Sequence, residues 1–158
     1  MKKFEFTGET TTISLFFRTA TLHRIRAVAE FGLVKVGDLG GWIEKEENLS
    51  HEGKAWVCGN AKVWGNAEVC GNAEVFSARH VLVIGAMGSR DDFTTFFRDK
   101  DNEITVKCGC FLGKIDKFLE KVTQTHGDSK YALVYRAAVE VARLQIDLSG
   151  EAPKDADE

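Results

Sequence analysis

Proline is almost absent from this sequence. The only one is Pro153, near the end of the 158-residue chain, so the 15 glycines must supply most of the backbone turns. Long apolar runs are absent as well, since no stretch reaches the roughly 18 apolar residues that indicate a membrane span. The opening segment MKKFEFTGET has no apolar core and no small-residue cleavage site, so we do not expect it to be a signal peptide.

Closely spaced cysteine pairs of the C-x-x-C type are also lacking. The four cysteines are Cys58, Cys70, Cys108 and Cys110. A disulfide framework is therefore not expected, and the spacing of Cys108-Gly-Cys110 suits zinc poorly. We expect no metal and no cofactor. The net charge of −3 argues against direct DNA binding. The lack of a secretory signal and of a disulfide framework predicts a cytoplasmic protein.

A six-residue repeat runs through residues 51–86. It divides into HEGKAW, VCGNAK, VWGNAE, VCGNAE, VFSARH and VLVIGA. Valine opens the last five hexads, and Gly-Asn precedes an alanine in three of them. Alternate residues of a strand share one side, and Gly-Asn pairs suit corners. The pattern therefore predicts two coils of short parallel strands, with the valines at 57, 63, 69, 75 and 81 inside.

The repeat resembles that of the hexapeptide-repeat, left-handed parallel β-helix proteins. The resemblance implies a mainly β fold in which a short left-handed parallel β-helix occupies residues 48–86. Two coils leave both ends of the helix open, so each end needs a cover. We expect an N-terminal β cap at 1–47, a C-terminal α+β region at 87–148 and a disordered tail at 149–158.

Local patterns predict the elements of the C-terminal region. FTTFFR and EITVKCGCF alternate around the polar segment DKDN, which is typical of a β-hairpin over residues 93–111. Apolar residues at i, i+3, i+4 and i+7 from Ile115 predict a helix over 114–125, ended by Gly127. Asp128 or Ser129 is suited to cap a second helix that continues to about residue 146.

The whole chain resembles a group of small proteins encoded by phages and gut bacteria. The resemblance rests on the GNA-x-V hexads, GDLGGWIEKEENLSHEG at 37–53, IGAMGSRDDFTTFFRDKDNEITVKCGCFLG at 84–113 and THGDSKY at 125–131. It implies a fold more than an activity. A phage origin suggests a non-catalytic, anti-defence binding protein that sequesters a small nucleotide-like anion or binds a host defence protein directly.

The glycine-rich loop GAMGSR, residues 85–90, is the candidate ligand site. Its backbone N–H groups could bind an anion, and the Arg90 guanidinium could donate two hydrogen bonds to a phosphate. Further hydroxyl and cationic groups follow on the predicted hairpin and at the end of the first helix. The same glycines also suit a turn that leaves the repeat. The candidate ligand-binding residues are Gly88, Ser89, Arg90, Thr94, Thr95, Arg98 and His126; no catalytic residue is assigned.

Apolar residues recur at the second, outward position of the hexads. Residues 18 apart would stack in successive coils, and an exposed apolar ladder normally marks a covered surface. We therefore expect a homo-oligomer, with a trimer favoured. The expected interface residues are Cys58, Trp64, Cys70, Phe76 and Leu82.

Two other functions remain open. A hexapeptide-type acyltransferase would use coenzyme A and a histidine as general base, and His80 lies where the hexad pattern breaks. Against this, the enzymes of that type use more coils and a long protruding loop. The remaining interpretation is a structural protein whose repeat serves as a trimeric stem.

Overall fold

The computed structural model describes residues 1–149, which form ten strands and two α-helices. The predicted disordered tail, 149–158, lies outside the described residues except for Ser149. In chain order the elements are β1 (Phe4–Ser14), β2 (Thr19–Ala27), β3 (Leu39–Ile43), β4 (Trp56–Val57), β5 (Lys62–Val63), β6 (Glu74–Val75), β7 (Val81–Met87), β8 (Asp92–Arg98), β9 (Ile104–Cys108), β10 (Phe111–Lys114), α1 (Ile115–His126) and α2 (Lys130–Gln145).

The N-terminal strands and the repeat share one hydrophobic core. β1, β2 and β3 pair antiparallel in sequence, as the predicted β cap requires. β5 then adds to β3 in parallel as the last strand of this sheet. Phe4 and Ile25 from the sheet pack in the same cluster as the hexad valines, so the first 47 residues cover the repeat directly.

The predicted left-handed parallel β-helix is wrong. The chain forms three separate sheets, and the two larger ones are mostly antiparallel. Parallel pairing within the repeat is limited to the two-residue strands β4 and β6 and the single bridge between Leu49 and Val69. The physical reason is length. Each of the first five hexads supplies at most two residues to the named strands, whereas the flanking segments offer longer antiparallel partners. The last hexad accordingly enters β7, which pairs antiparallel with β8.

The expected inward position of the hexad valines is confirmed for four of the five. Val57, Val63, Val69 and Val75 are at most 1% exposed, while Val81 on β7 is only half-buried. The glycines of the three Gly-Asn pairs adopt φ between 60° and 65°, which is the left-handed region. The repeat thus forms corners at its glycines and directs four of its valines into the core, but it does not form a solenoid.

The C-terminal region is a second layer with its own core. β7 to β10 form an antiparallel sheet in the order β10-β9-β8-β7, which confirms the hairpin predicted for 93–111. Six consecutive residues of the central strand and its end, 94–99, are buried because the repeat covers one face and the helices the other. Phe97 belongs to the N-terminal core, and its neighbour Phe96 belongs to the helical core.

Both predicted helices are confirmed. α1 buries Ile115, Phe118 and Val122, and ends at Gly127, whose N–H donates to the Thr123 carbonyl. α2 begins after Ser129, although the Ser129 side chain makes no capping hydrogen bond. No helix in residues 1–149 is long and apolar enough to cross a membrane.

Candidate functional site

A groove of about 920 Å³ opens between the loop that joins β2 to β3 and the outer surface of the repeat. We call it the loop groove. Its wall on the loop side consists of Gly32, Leu33, Val34, Gly37, Asp38 and Leu39. The repeat side includes Lys54, Trp56, Cys58, Gly59, Asn72, Glu74 and Phe76, and Arg24 and Lys100 complete the lining.

The register of β4 and β6 builds the repeat side of the loop groove. Trp56 pairs with Glu74 and Val57 with Val75, in parallel. Because side chains alternate along a strand, both valines point into the core while Trp56, Glu74 and the next outward residue, Phe76, face the groove. Phe31 from the loop packs edge-on against Trp56, with ring centroids 5.3 Å apart. The loop therefore covers much of Trp56, which is 8% exposed, and the half-buried Phe76 is the more accessible of the two rings.

Cationic side chains outnumber acidic ones in the lining. Arg24, Lys54 and Lys100 face two acids, Asp38 and Glu74, so the groove carries one net positive charge in a chain of net charge −3. The backbone holds both lysines in place, because the Lys54 N–H donates to the Gly71 carbonyl and the Lys100 N–H to the Asn72 carbonyl, each at 3.0 Å. Arg24 Nε donates to the Gly40 carbonyl at 3.2 Å.

A buried arginine lies behind the groove lining. Arg98 is 3% exposed, its guanidinium carbon is 5.0 Å from the Phe76 ring centroid, and its Nε donates to the Glu74 carbonyl at 3.1 Å. Its Nη2 lies 3.9 Å from a Glu74 carboxylate oxygen and makes no hydrogen bond with the described residues. Burial lowers the pKa of Arg98 and nearby Glu74 opposes this, but an arginine keeps its proton in either case. Arg98 therefore adds fixed positive charge beside the groove.

The sequence-predicted ligand loop packs on α2 instead of forming an open cradle. A Cβ atom on Gly88 would lie 2.0 Å from the Tyr135 hydroxyl oxygen, so the glycine permits a tight contact with the helix. Ser89 hydrogen-bonds the same tyrosine, and burial raises the Tyr135 pKa. His126 stacks on the Tyr135 ring with centroids 5.6 Å apart. Gly88, Ser89 and His126 thus converge on Tyr135, while Arg90 is exposed on the turn.

The other predicted ligand residues lie inside the protein. Thr94 and Thr95 are at most 2% exposed and point to opposite sides of β8. Thr94 Oγ1 donates to Cys108 Sγ at 3.3 Å, whereas Thr95 Oγ1 accepts the Glu68 N–H at 3.1 Å. Arg98 is buried at the far end of the strand. The structure therefore does not bring the seven candidates together, because covering both faces of β8 turns its polar side chains inward.

The outward apolar row does not form one exposed ladder. Cys58 is 5% exposed, and Phe76 lines the loop groove. Leu82 packs against the helical core, since β7 joins the second sheet. Cys70 is half-buried, and burial raises its pKa. Only Trp64 remains exposed, at 38%. The ladder that motivated the trimer interface is therefore interrupted.

The histidine considered as a general base is a buried structural group. His80 is 3% exposed, and its Nδ1 accepts the Phe76 N–H at 3.1 Å. Burial lowers its pKa, and Arg98 nearby lowers it further. In residues 1–149 no group of three or more His, Cys, Asp and Glu side chains could hold a metal ion.

Sequence reasoning missed the loop groove because its cationic residues belong to no motif. Arg24, Lys54 and Lys100 are far apart in the chain, and only the fold brings them to one opening. One signal was available in the segment FGLVKVGDLGG, where Leu33, Val36 and Leu39 are apolar residues in a glycine-rich loop. They are 97%, 64% and 50% exposed. The chain matches no protein-family profile, and no curated protein is significantly similar to it.

Proposed function

We propose that this is a non-catalytic binding protein that holds a small nucleotide-like anion in the loop groove. The observation that carries the proposal is the combination of Trp56 and Phe76 with Arg24, Lys54 and Lys100 around one opening. Aromatic side chains favour flat rings, and ammonium and guanidinium groups favour phosphate oxygens. A ligand that carries both a base and a phosphate suits this lining better than either group alone.

The size of the groove agrees with this class of ligand. Small-molecule sites commonly enclose roughly 300–1,000 Å³, and the loop groove has about 920 Å³. Stacking of a base on an aromatic side chain contributes about 1–3 kcal/mol, and a hydrogen bond to a charged group about 1.5–3 kcal/mol. One stacked ring and two such bonds would together contribute about 4–9 kcal/mol, which corresponds to the millimolar to micromolar range before the entropic cost of binding is subtracted.

The lining supports binding better than catalysis. Its lysine and arginine side chains supply positive charge for binding an anion. No histidine, the most common general acid or base, is among the described residues that line it. Sequestration needs only affinity, so a site that lacks an acid–base pair is sufficient. With the phage resemblance of the sequence, we propose that the ligand is a small nucleotide signal of a host defence system, which the protein removes from solution.

Calorimetry with ADP, adenosine and inorganic phosphate tests the proposal. We expect ADP to bind more tightly than either fragment. Replacing both groove lysines, Lys54→Gln with Lys100→Gln, should weaken ADP binding at least about tenfold and leave adenosine binding nearly unchanged. The matched control removes two lysines outside the groove, Lys62→Gln with Lys117→Gln, and should bind ADP as the wild type does.

A separate variant, Arg90→Ala, distinguishes the loop groove from the sequence-predicted loop. Arg90 precedes β8 and Lys100 follows it, so the two lie at opposite ends of a seven-residue strand, roughly 20 Å apart. Loss of ADP binding in Arg90→Ala alone would move the site to the 85–90 loop. Absence of ADP binding by the wild type, together with no nucleotide among the small molecules released from natively purified protein, would refute nucleotide binding.

A second candidate function is direct binding of a host defence protein through the tip of the β1–β2 hairpin. Phe16 and Phe17 form the two-residue turn, are 93% and 92% exposed, and contact each other edge-on at 4.6 Å. Two adjacent aromatic side chains that are almost fully exposed form an apolar patch of the kind that marks a protein–protein contact. The ion pair of Arg18 with Glu44 fixes the base of the turn.

The two candidates predict different effects on suppression of a host defence system in infected cells. If the groove is responsible, the double lysine variant loses the effect and Phe16→Ser with Phe17→Ser keeps it. If the hairpin tip is responsible, the outcomes are reversed. Leu112→Ser, which removes an apolar side chain that is 47% exposed on another surface, serves as the control.

A further inference from the structure

One hydrogen-bond donor buried beside the loop groove has no acceptor in residues 1–149. It is Nη2 of Arg98, a residue that is only 3% exposed, and no other buried side-chain nitrogen or oxygen of the described residues is left in this way. A buried charged donor without an acceptor costs free energy, so its presence in a native protein calls for a partner. The partner that suits a guanidinium best is an anion.

The backbone places Arg98 on the groove side of its segment. A bridge pairs Asp99 antiparallel with Ala73. In this register Arg98 lies opposite Glu74, and its Nε donates to the Glu74 carbonyl at 3.1 Å. Side chains two residues apart on an extended segment share a side, so Arg98 lies on the same side as Lys100, which lines the groove.

Glu74 approaches the Arg98 guanidinium without satisfying it. A carboxylate oxygen of Glu74 lies 3.9 Å from Nη2, which is too far for a hydrogen bond. The Glu74 side chain is 44% exposed, so it can turn into solvent at little cost. Glu74 and Phe76, whose ring centroid is 5.0 Å from the guanidinium carbon, both line the groove. The carboxylate that approaches Nη2 therefore belongs to the groove wall.

We propose that Arg98 is a phosphate-binding residue of the loop groove and that Glu74 takes the place of the phosphate in the free protein. A phosphate of the ligand displaces the Glu74 carboxylate and accepts a hydrogen bond from Nη2. The Cα atom of Lys100 is at most about 7 Å from that of Arg98, so one phosphate or diphosphate can contact both cations. This assignment rests on the proposed function, because it gives the anion in the groove a specific partner.

The displacement makes the groove selective for charge. A ligand that reaches Nη2 must compensate for the lost contact between Arg98 and Glu74, which a phosphate does and a neutral base does not. We therefore expect pyrophosphate to compete with ADP for the groove, whereas adenosine leaves Glu74 in place.

Calorimetry with ADP and pyrophosphate tests the assignment. Glu74→Gln removes the competing charge and should tighten the binding of both ligands at least about threefold. Arg98→Lys keeps a positive charge but loses the planar guanidinium, and should weaken binding at least about tenfold. The matched control is Glu140→Gln, which neutralises a glutamate 2.7 Å from Arg143 on α2 and should change neither affinity.

Nitrogen-15 NMR of the arginine side chains distinguishes a direct contact from a structural role. The guanidinium signals of Arg98, assigned through its side-chain carbons, should shift when the wild type is titrated with pyrophosphate, because a new hydrogen bond to an anion changes their shielding. Signals that stay fixed while pyrophosphate binds would overturn the assignment. This measurement needs no variant, so it decides the question even if Arg98→Lys does not fold.

The outcomes also distinguish this assignment from nucleotide binding itself. If the wild type binds ADP and Glu74→Gln binds it no more tightly, the displacement of Glu74 is refuted and the nucleotide proposal stands. If the wild type binds pyrophosphate but not ADP, and Glu74→Gln binds pyrophosphate more tightly, the role of Arg98 is supported and nucleotide binding is refuted. Failure of the wild type to bind either ligand would refute both.

Discussion

At the scale of single residues, Lys3 places an ammonium group inside the N-terminal core. The residue is 4% exposed, its Nζ donates to the Ala55 carbonyl at 2.7 Å, and it lies 4.7 Å from the centre of the Phe31 ring. Its own N–H donates to His51 Nδ1, which ties the first residues of the chain to the repeat. Burial lowers the pKa of Lys3 to about 8, and Cys70 nearby partly opposes this.

The lowered pKa of Lys3 predicts a rise in stability at alkaline pH. Between about 8 and the ordinary value of 10.5, the unfolded chain binds the Lys3 proton and the folded chain does not. The contribution of Lys3 to the free energy of unfolding should therefore increase across this window, by up to about 3 kcal/mol, and be constant below it. Urea unfolding should show the rise in the wild type and in Lys2→Met, where the lysine is exposed, but not in Lys3→Met. Parallel pH curves for wild type and Lys3→Met would contradict the prediction.

Asn48 lies outside the hexads, yet its side chain connects the preceding turn to one of them. The residue is fully buried; its Nδ2 donates to the carbonyls of Gly65 and Ala67, and its Oδ1 accepts the Lys45 N–H. A buried carbonyl that loses its donor cannot recover it from water. Asn48 therefore stabilises the hexad corner at residues 65–67, because its side chain supplies the hydrogen-bond donors that a neighbouring strand would otherwise supply.

Replacing Asn48 with alanine should lower the free energy of unfolding by about 2–4 kcal/mol, because three hydrogen bonds are lost at a buried site. Urea unfolding measures the loss. The matched control is Asn60→Ala, which removes an exposed asparagine from a Gly-Asn pair and should cost less than about 0.5 kcal/mol. Similar losses in the two variants would show that Asn48 contributes only as a corner residue.

At the scale of elements, the sequence predicted those features that depend only on residues close together in the chain. The hairpin β8–β9 and the helix α1 follow from alternation and from an apolar face, and the inward valines follow from the hexad period. Strand partners were not predictable in this way. β7 pairs with β8 because a longer antiparallel neighbour outcompetes two-residue parallel contacts, whereas β5 pairs in parallel with β3, which lies outside the repeat. No property of a single hexad expresses either choice of partner.

The candidate site was less predictable than the elements for the same reason. Thr95 and Arg98 are polar residues in a strand with alternating pattern, so the sequence favours one exposed face. In the structure both faces of β8 are covered, and these side chains bond to the repeat. Conversely, Arg24 and Lys100 have no shared sequence signal, because only the approach of the β2–β3 loop to the repeat brings them together.

At the scale of the whole molecule, two hydrophobic cores meet at one strand. Phe97 packs with the hexad valines and Phe96 with α1 and α2, and both side chains are fully buried. Neighbouring residues of β8 therefore anchor different cores. If β8 separates from either core, its side chains in the other core are displaced as well. The N-terminal and C-terminal regions should therefore unfold together rather than as independent domains.

The distribution of spectroscopic probes makes this cooperativity testable. All three tryptophans, Trp42, Trp56 and Trp64, precede residue 65, whereas both helices follow residue 114. Tryptophan fluorescence thus reports on the first core and helical circular dichroism on the second. We expect the two thermal transitions to coincide in the wild type. Phe96→Ala should cost about 3–5 kcal/mol and lower both midpoints together, although the side chain lies only in the helical core. If the helical signal melts first while fluorescence keeps its wild-type midpoint, the cores are independent, and the contacts of Phe97 and Arg98 across β8 do not couple them.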